Sequence, residues 1–106
     1  MSEISRENLM KVVKVLGCEN IRRTKTYSIV IEYKASDSKK QNLIWGYKRK
    51  DNQYRFYTIA AALTDEQKAR FNGKVCNRDR EYGFNTTNID DVIESIISCK
   101  RYLNNK

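Results

Sequence analysis

The stretch Trp45-Gly46-Tyr47-Lys48-Arg49-Lys50-Asp51-Asn52-Gln53-Tyr54-Arg55-Phe56-Tyr57 alternates aromatic and polar residues on both sides of a short polar link, Lys50-Asp51-Asn52. A period of two marks extended chain, because successive side chains on a strand point to opposite faces. Two such runs joined by so short a link read as an antiparallel hairpin, with strands over about 42–49 and 53–60. Upstream, Thr26-Tyr27-Ser28-Ile29-Val30-Ile31-Glu32-Tyr33-Lys34 is rich in β-branched and aromatic residues and supplies a further strand. Ala35-Ser36-Asp37-Ser38-Lys39-Lys40 is the turn between them. Simple alternation puts Tyr27, Ile29, Ile31, Tyr33, Leu43, Trp45, Tyr47, Tyr54 and Phe56 on the core face. It leaves Glu32, Lys34, Lys48, Arg55 and Tyr57 on the other.

Helices are expected on either side of this meander. Residues 3–16 carry Leu9, Val12, Val13 and Leu16 at helical spacing, with Ser2 or Ser5 as cap and Gly17 as stop. Thr64-Asp65-Glu66-Gln67 fits a capping box that opens a short helix over 65–71, which ends at Asn72-Gly73. Thr87 or Asn88 caps a last helix with Asp90 and Asp91 in its first turn and Lys100 and Arg101 near its end. Its apolar stripe is Ile89, Val92, Ile93, Ile96, Ile97 and Leu103. The fold class is therefore α+β: a three-stranded antiparallel meander, four-stranded if Glu81–Asn85 adds a strand. An N-terminal, a short middle and a C-terminal helix pack on one face. With 106 residues, no repeat and no Pro- or Gly-rich linker, residues 1–106 read as one domain.

Composition excludes several chemistries. There is no His, so there is no Ser-His-Asp triad, no Cys-His pair and no imidazole acid-base catalyst. Cys18, Cys76 and Cys99 are odd in number and widely spaced. They read as structural thiols in a reducing cytoplasm, and no metal or cofactor site is expected. The longest apolar run, Ile59-Ala60-Ala61-Ala62-Leu63, is far too short for a membrane span, and the first residues do not form a signal peptide.

The net charge is +8, and it is uneven: residues 1–60 hold 13 Lys and Arg against 6 Asp and Glu, whereas residues 61–106 hold 8 against 7. A basic half of this kind favours an acidic partner. The expected function is non-enzymatic binding of nucleic acid or a nucleoprotein. Lys34, Lys48, Arg49, Lys50 and Arg55 would contact phosphates, Arg22, Arg23 and Lys25 would extend their reach, and Tyr57 would stack or hydrogen-bond. The main alternative is a protein–protein inhibitor, of an immunity or phage anti-defence kind, docking on an acidic or nucleic-acid-binding site of its target.

A second alternative comes from Ile29-Val30-Ile31-Glu32-Tyr33-Lys34. An apolar run followed by Glu-x-Lys resembles the central motif of the restriction-endonuclease-like nuclease superfamily. That resemblance implies a Mg²⁺-dependent nuclease with Glu32 on the metal and Lys34 at the attacking water or phosphate. The family also has an Asp upstream of the motif; here no Asp precedes it, and Glu19 is the nearest acid. Asn77-Arg78-Asp79-Arg80-Glu81-Tyr82 is a third cluster, with residue types that can hold phosphate and move protons without metal. The four glycines are isolated and form no phosphate-binding loop.

Overall fold

The computed structural model describes residues 3–18, 20–35, 39–50 and 52–105. Ser2 as a cap, Glu19, the turn residues Ser36, Asp37 and Ser38, Asp51 and the Arg22 side chain lie outside the described residues.

Helix α1 (Arg6–Val15) starts where the Ser5 side chain accepts a hydrogen bond from the Asn8 N–H, and it ends before Gly17, whose φ of 70° few other residues adopt. Glu3 precedes the helix and forms a lone antiparallel bridge with Asn88. Strands β1 (Asn20–Arg22), β2 (Ile29–Tyr33), β3 (Gln41–Lys50) and β4 (Gln53–Ile59) follow as an antiparallel meander. A 3-10 turn (Ala60–Ala62) leads into α2 (Asp65–Phe71). The reciprocal Thr64–Gln67 capping box is formed, and Asn72 closes the helix in the left-handed region. Strand β5 (Lys74–Cys76) forms an edge. Strand β6 (Glu81–Thr86) pairs with β4, so the six-stranded sheet runs β1-β2-β3-β4-β6-β5, antiparallel throughout.

Helix α3 (Ile89–Asn104) is capped by Asn88, whose side chain accepts from the Asp90 N–H at 2.9 Å. It packs against β3 and β4, while α2 meets β6 and α1 meets α3 and β1. The fold is α+β, with the helices on one face. The sheet is wider than the sequence suggests, because β1 and β5 are three-residue edges too short to show alternation. The core between the layers is built from Leu9, Ile29, Ile31, Leu43, Ile44, Phe56, Phe84, Val92, Ile96 and Cys99, each 5% exposed or less. The α3 stripe differs from the expected one: Ile97 is 39% exposed, and Cys99 takes the buried position instead. Thr58, fully buried, donates from Oγ1 to the Leu43 carbonyl at 2.8 Å and lies 3.0 Å from Cys99 Sγ, so a core polar group is satisfied locally.

The main correction concerns which way β3 faces. Cross-strand partners share a face, and Ile44 pairs with Thr58, Gly46 with Phe56 and Lys48 with Tyr54. These residues point toward the helices. Trp45 pairs with Tyr57 and Tyr47 with Arg55, so both aromatics lie on the opposite face, contrary to the expectation that they join the core. The register shift between β2 and β3 at Ile31/Glu32 explains it. There Leu43 is the extra residue, which lets Leu43 and Ile44 both be buried while β3 reverses its alternation.

Candidate nucleic-acid interface

All three helices lie on one side of the sheet, and the other side carries an aromatic cluster. Tyr27 reaches it from the β1–β2 connection, where the Thr24 N–H donates to the Tyr27 carbonyl at 2.8 Å and the Tyr27 N–H donates to Thr24 Oγ1 at 2.9 Å. This turn holds the Tyr27 ring against two neighbours. It stacks on Tyr47 with centroids 6.5 Å apart and meets Tyr57 edge-on at 5.9 Å. Trp45, the only tryptophan, is the β3 partner of Tyr57. Tyr27, Trp45, Tyr47 and Tyr57 are all half-buried, and none belongs to the core between the layers. Val30 faces the same way, opposite Trp45, yet is 1% exposed, so the side chains of this face close over it.

Arg55 is the cation within this cluster. Its guanidinium carbon lies 5.1 Å from the Tyr57 ring centroid, and it makes long hydrogen bonds, 3.4 Å each, to Tyr57 Oη and to Asn85 Oδ1. Gly83 makes room for both groups. It pairs with Tyr57, and a methyl added there would come within 2.8 Å of Arg55 Nη2 and 3.0 Å of Tyr57 Cε2. The absence of a side chain at 83 thus lets the ring and the guanidinium lie down on the sheet. Burial raises the Tyr27 phenol above its ordinary value, and Tyr57, Glu81, Tyr47 and Cys76 add to the effect, so at neutral pH it stays a neutral donor.

The expected site residues divide into groups. Arg55 and Tyr57 lie at the centre of the aromatic face. Lys50 pairs with Gln53, on the face of Arg55 and Tyr57, so it sits at the rim of the same surface. The register shift between Lys48 and Lys50 gives Arg49 the extra position at the hairpin tip. Lys48 does not share the Arg55 face as expected: it pairs with Tyr54, on the helix side, because β3 has reversed its alternation. Lys48, Arg49 and Lys50 are all exposed, and none pairs with a described carboxylate. Arg23 and Lys25 are exposed in the β1–β2 connection, beside the Tyr27 turn, and Lys34 is exposed just past the end of β2. The Arg22 backbone pairs with Val30, on the aromatic face. Lys74 pairs with Gly83 and brings a further cation to that face.

The face also holds acids. Glu32 lies between the inward Ile31 and Tyr33, and Glu81 pairs with Ile59 beside the Tyr57–Gly83 pair. Among the described residues, no three Cys, Asp or Glu side chains gather into a group able to hold a metal ion. The third cluster is a tight β5–β6 turn in which Asn77, Arg78 and Asp79 all take positive φ, with Asn77 Nδ2 donating to Glu81 Oε2 at 3.1 Å. No described helix is long and apolar enough to cross a membrane.

Sequence reasoning missed Tyr27, Trp45, Tyr47 and Gly83 as members of this surface. Two signals were present. Leu43-Ile44 are adjacent and apolar, which alternation cannot bury together without a bulge. Gly46 sits in mid-strand, where close approach of a partner is the usual reason for glycine. Compared with protein-family models, with curated proteins and with solved structures, the chain finds no match in any of the three.

Proposed function

We propose that this protein binds nucleic acid across the helix-free face of its sheet. The observation that supports the reading is the cluster of Tyr27, Trp45, Tyr47 and Tyr57 around Arg55, with Lys50 on the same face and Arg23 and Lys25 exposed in the connection that carries Tyr27. Aromatic side chains of a folded domain normally enter its core, whereas these four stay half-buried on the face that the helices leave uncovered. Here the rings come with cations, the pairing that phosphates and bases call for. Lys48 and Arg49 at the hairpin tip extend the positive surface.

The test is binding of labelled DNA and RNA by fluorescence anisotropy across a salt series. Affinity is expected to fall with a log–log slope of about 0.7 to 0.9 per phosphate contacted. Reversing Lys48, Arg49 and Lys50 to Glu is expected to flatten that slope and weaken binding to every sequence. Unchanged binding by this variant would remove the phosphate-contact reading.

A second reading is favoured by a different surface. Met10, Val15 and Ile97 are 56%, 81% and 39% exposed on α1 and α3, and Val15 lines a groove of 200 Å³ with Lys11, Val12, Leu16 and Ile93. This supports docking on a protein target through an apolar contact, in addition to the acidic or nucleic-acid-binding site that the inhibitor reading assigns to that target. That complex would be stoichiometric and would survive salt that strips nucleic acid.

A further inference from the structure

We infer that the nucleic acid taken by this face is single-stranded, with its bases laid on the rings of Tyr47 and Trp45 and on the Arg55 guanidinium that covers Tyr57, and its phosphates held at the rim. The inference rests on the nucleic-acid reading and specifies its substrate class. Three observations carry it.

The first is width. Six strands spaced about 4.8 Å apart span roughly 24 Å, whereas a duplex major groove is about 12 Å wide. The face cannot enter a groove, whereas a hairpin tip such as Lys48–Lys50 is narrow enough to do so. The rings lie on the face and not at the tip, so a groove-reading mode leaves them unused.

The second is where rings and charges sit. A duplex offers a flat surface its phosphates and hides its base faces, so its complement is a carpet of cations. This face is aromatic at its centre and carries the Glu81 carboxylate among its cations. A carboxylate at such a position repels a phosphate rail laid across the sheet. It tolerates uncharged bases over the rings and leaves the phosphates to Lys50, Arg23 and Lys25. Every base has a π-face, and it reaches an aromatic platform only when unpaired and splayed from its neighbours.

The third is that the platform is prepared. Tyr57 and Arg55 form one platform: the ring lies over the empty position at Gly83, Tyr27 meets its edge, and the guanidinium above the ring offers its own plane to a base. Tyr47 is stacked on Tyr27. The Arg55 hydrogen bonds are long, at 3.4 Å, and its guanidinium retains donor capacity for a base edge or a phosphate. Rings held in place lose little freedom on binding, which lowers the cost of association.

The experiment compares a 12-nucleotide oligo(U) and oligo(dT) with a 12-base-pair duplex at one salt concentration, using the emission of Trp45 as readout. Both single strands are expected to quench Trp45 and to bind at least about ten-fold tighter than the duplex. Tyr57→Ala and Tyr47→Ala are each expected to lose roughly ten-fold for the single strands with the salt slope unchanged. Tyr57→Phe, which keeps the ring and loses only the hydroxyl that accepts from Arg55, is expected to restore most of the affinity that Tyr57→Ala loses, and separates lost stacking from a disturbed fold. Circular dichroism and the melting temperature check the fold of each variant. Duplex binding as tight as single-strand binding, or folded Ala variants that bind unchanged while the Lys48/Arg49/Lys50 reversal does not, would overturn the inference and leave the nucleic-acid reading standing. A parent protein that binds none of the three probes would overturn both.

Discussion

At the residue scale, two glycines separate what holds the sheet together from what shapes its aromatic face. Gly46 points toward the helices, and a methyl there would overlap the Arg55 carbonyl oxygen and come within 2.7 Å of Phe56 Cδ1. Backbone cannot swing aside, so β3 and β4 would have to part. Gly46→Ala is expected to cost about 1–3 kcal/mol or more, read as a lowered urea midpoint. At Gly83 the groups in the way are the far ends of Arg55 and Tyr57, which can move. Gly83→Ala is therefore expected to leave the melting temperature nearly unchanged and to weaken nucleic-acid binding several-fold by lifting the ring and the guanidinium. Loss of fold with Gly83→Ala, or full binding by it, would contradict this division.

At the scale of elements, helices and strands were unequally legible. The α2 and α3 starts were readable because capping is local chemistry: Thr64 with Gln67, and Asn88 with the Asp90 N–H, lie within three residues of each other. The direction β3 faces is not local. It depends on one extra residue opposite β2, and a single-residue slip moves every following side chain to the other side. That is why alternation puts Arg55 and Tyr57, on the regular strand β4, on the helix-free face as observed, while it sends Trp45 and Tyr47 to the core, where they do not lie. Contacts between elements also carry a pH signature. Glu94 on α3 receives two hydrogen bonds from Arg70 on α2, at 2.8 and 2.6 Å, and a third from Gln67. The Arg70 bonds, and then that from Gln67, hold the Glu94 carboxyl below the ordinary carboxylate range. A depressed folded-state value means the stabilisation is present above the unfolded-state pKa and is lost as pH falls through the folded value. Glu94→Gln is accordingly expected to melt below the parent at pH 7, and the gap to close as the solution is acidified through the carboxylate range.

At the scale of the whole molecule, the two sides of the sheet do different jobs. One side is covered by helices and carries the folding energy through residues such as Leu9, Phe56, Phe84 and Ile96. The other is covered by its own side chains, and the proposed nucleic-acid contacts lie there. The same layout puts the three free thiols at different depths: Cys76 is half-exposed on an edge strand, whereas Cys18 and Cys99 are buried. Burial also pushes both buried thiols up from their ordinary value, in Cys99 against the Thr58 hydrogen bond, and the reactive thiolate is scarcer for it. A sulfhydryl reagent under native conditions should thus modify Cys76 promptly. Cys99, sealed beneath β3 and β4, should wait for the sheet and helix layers to separate, so the slow phase of alkylation times how often the molecule opens.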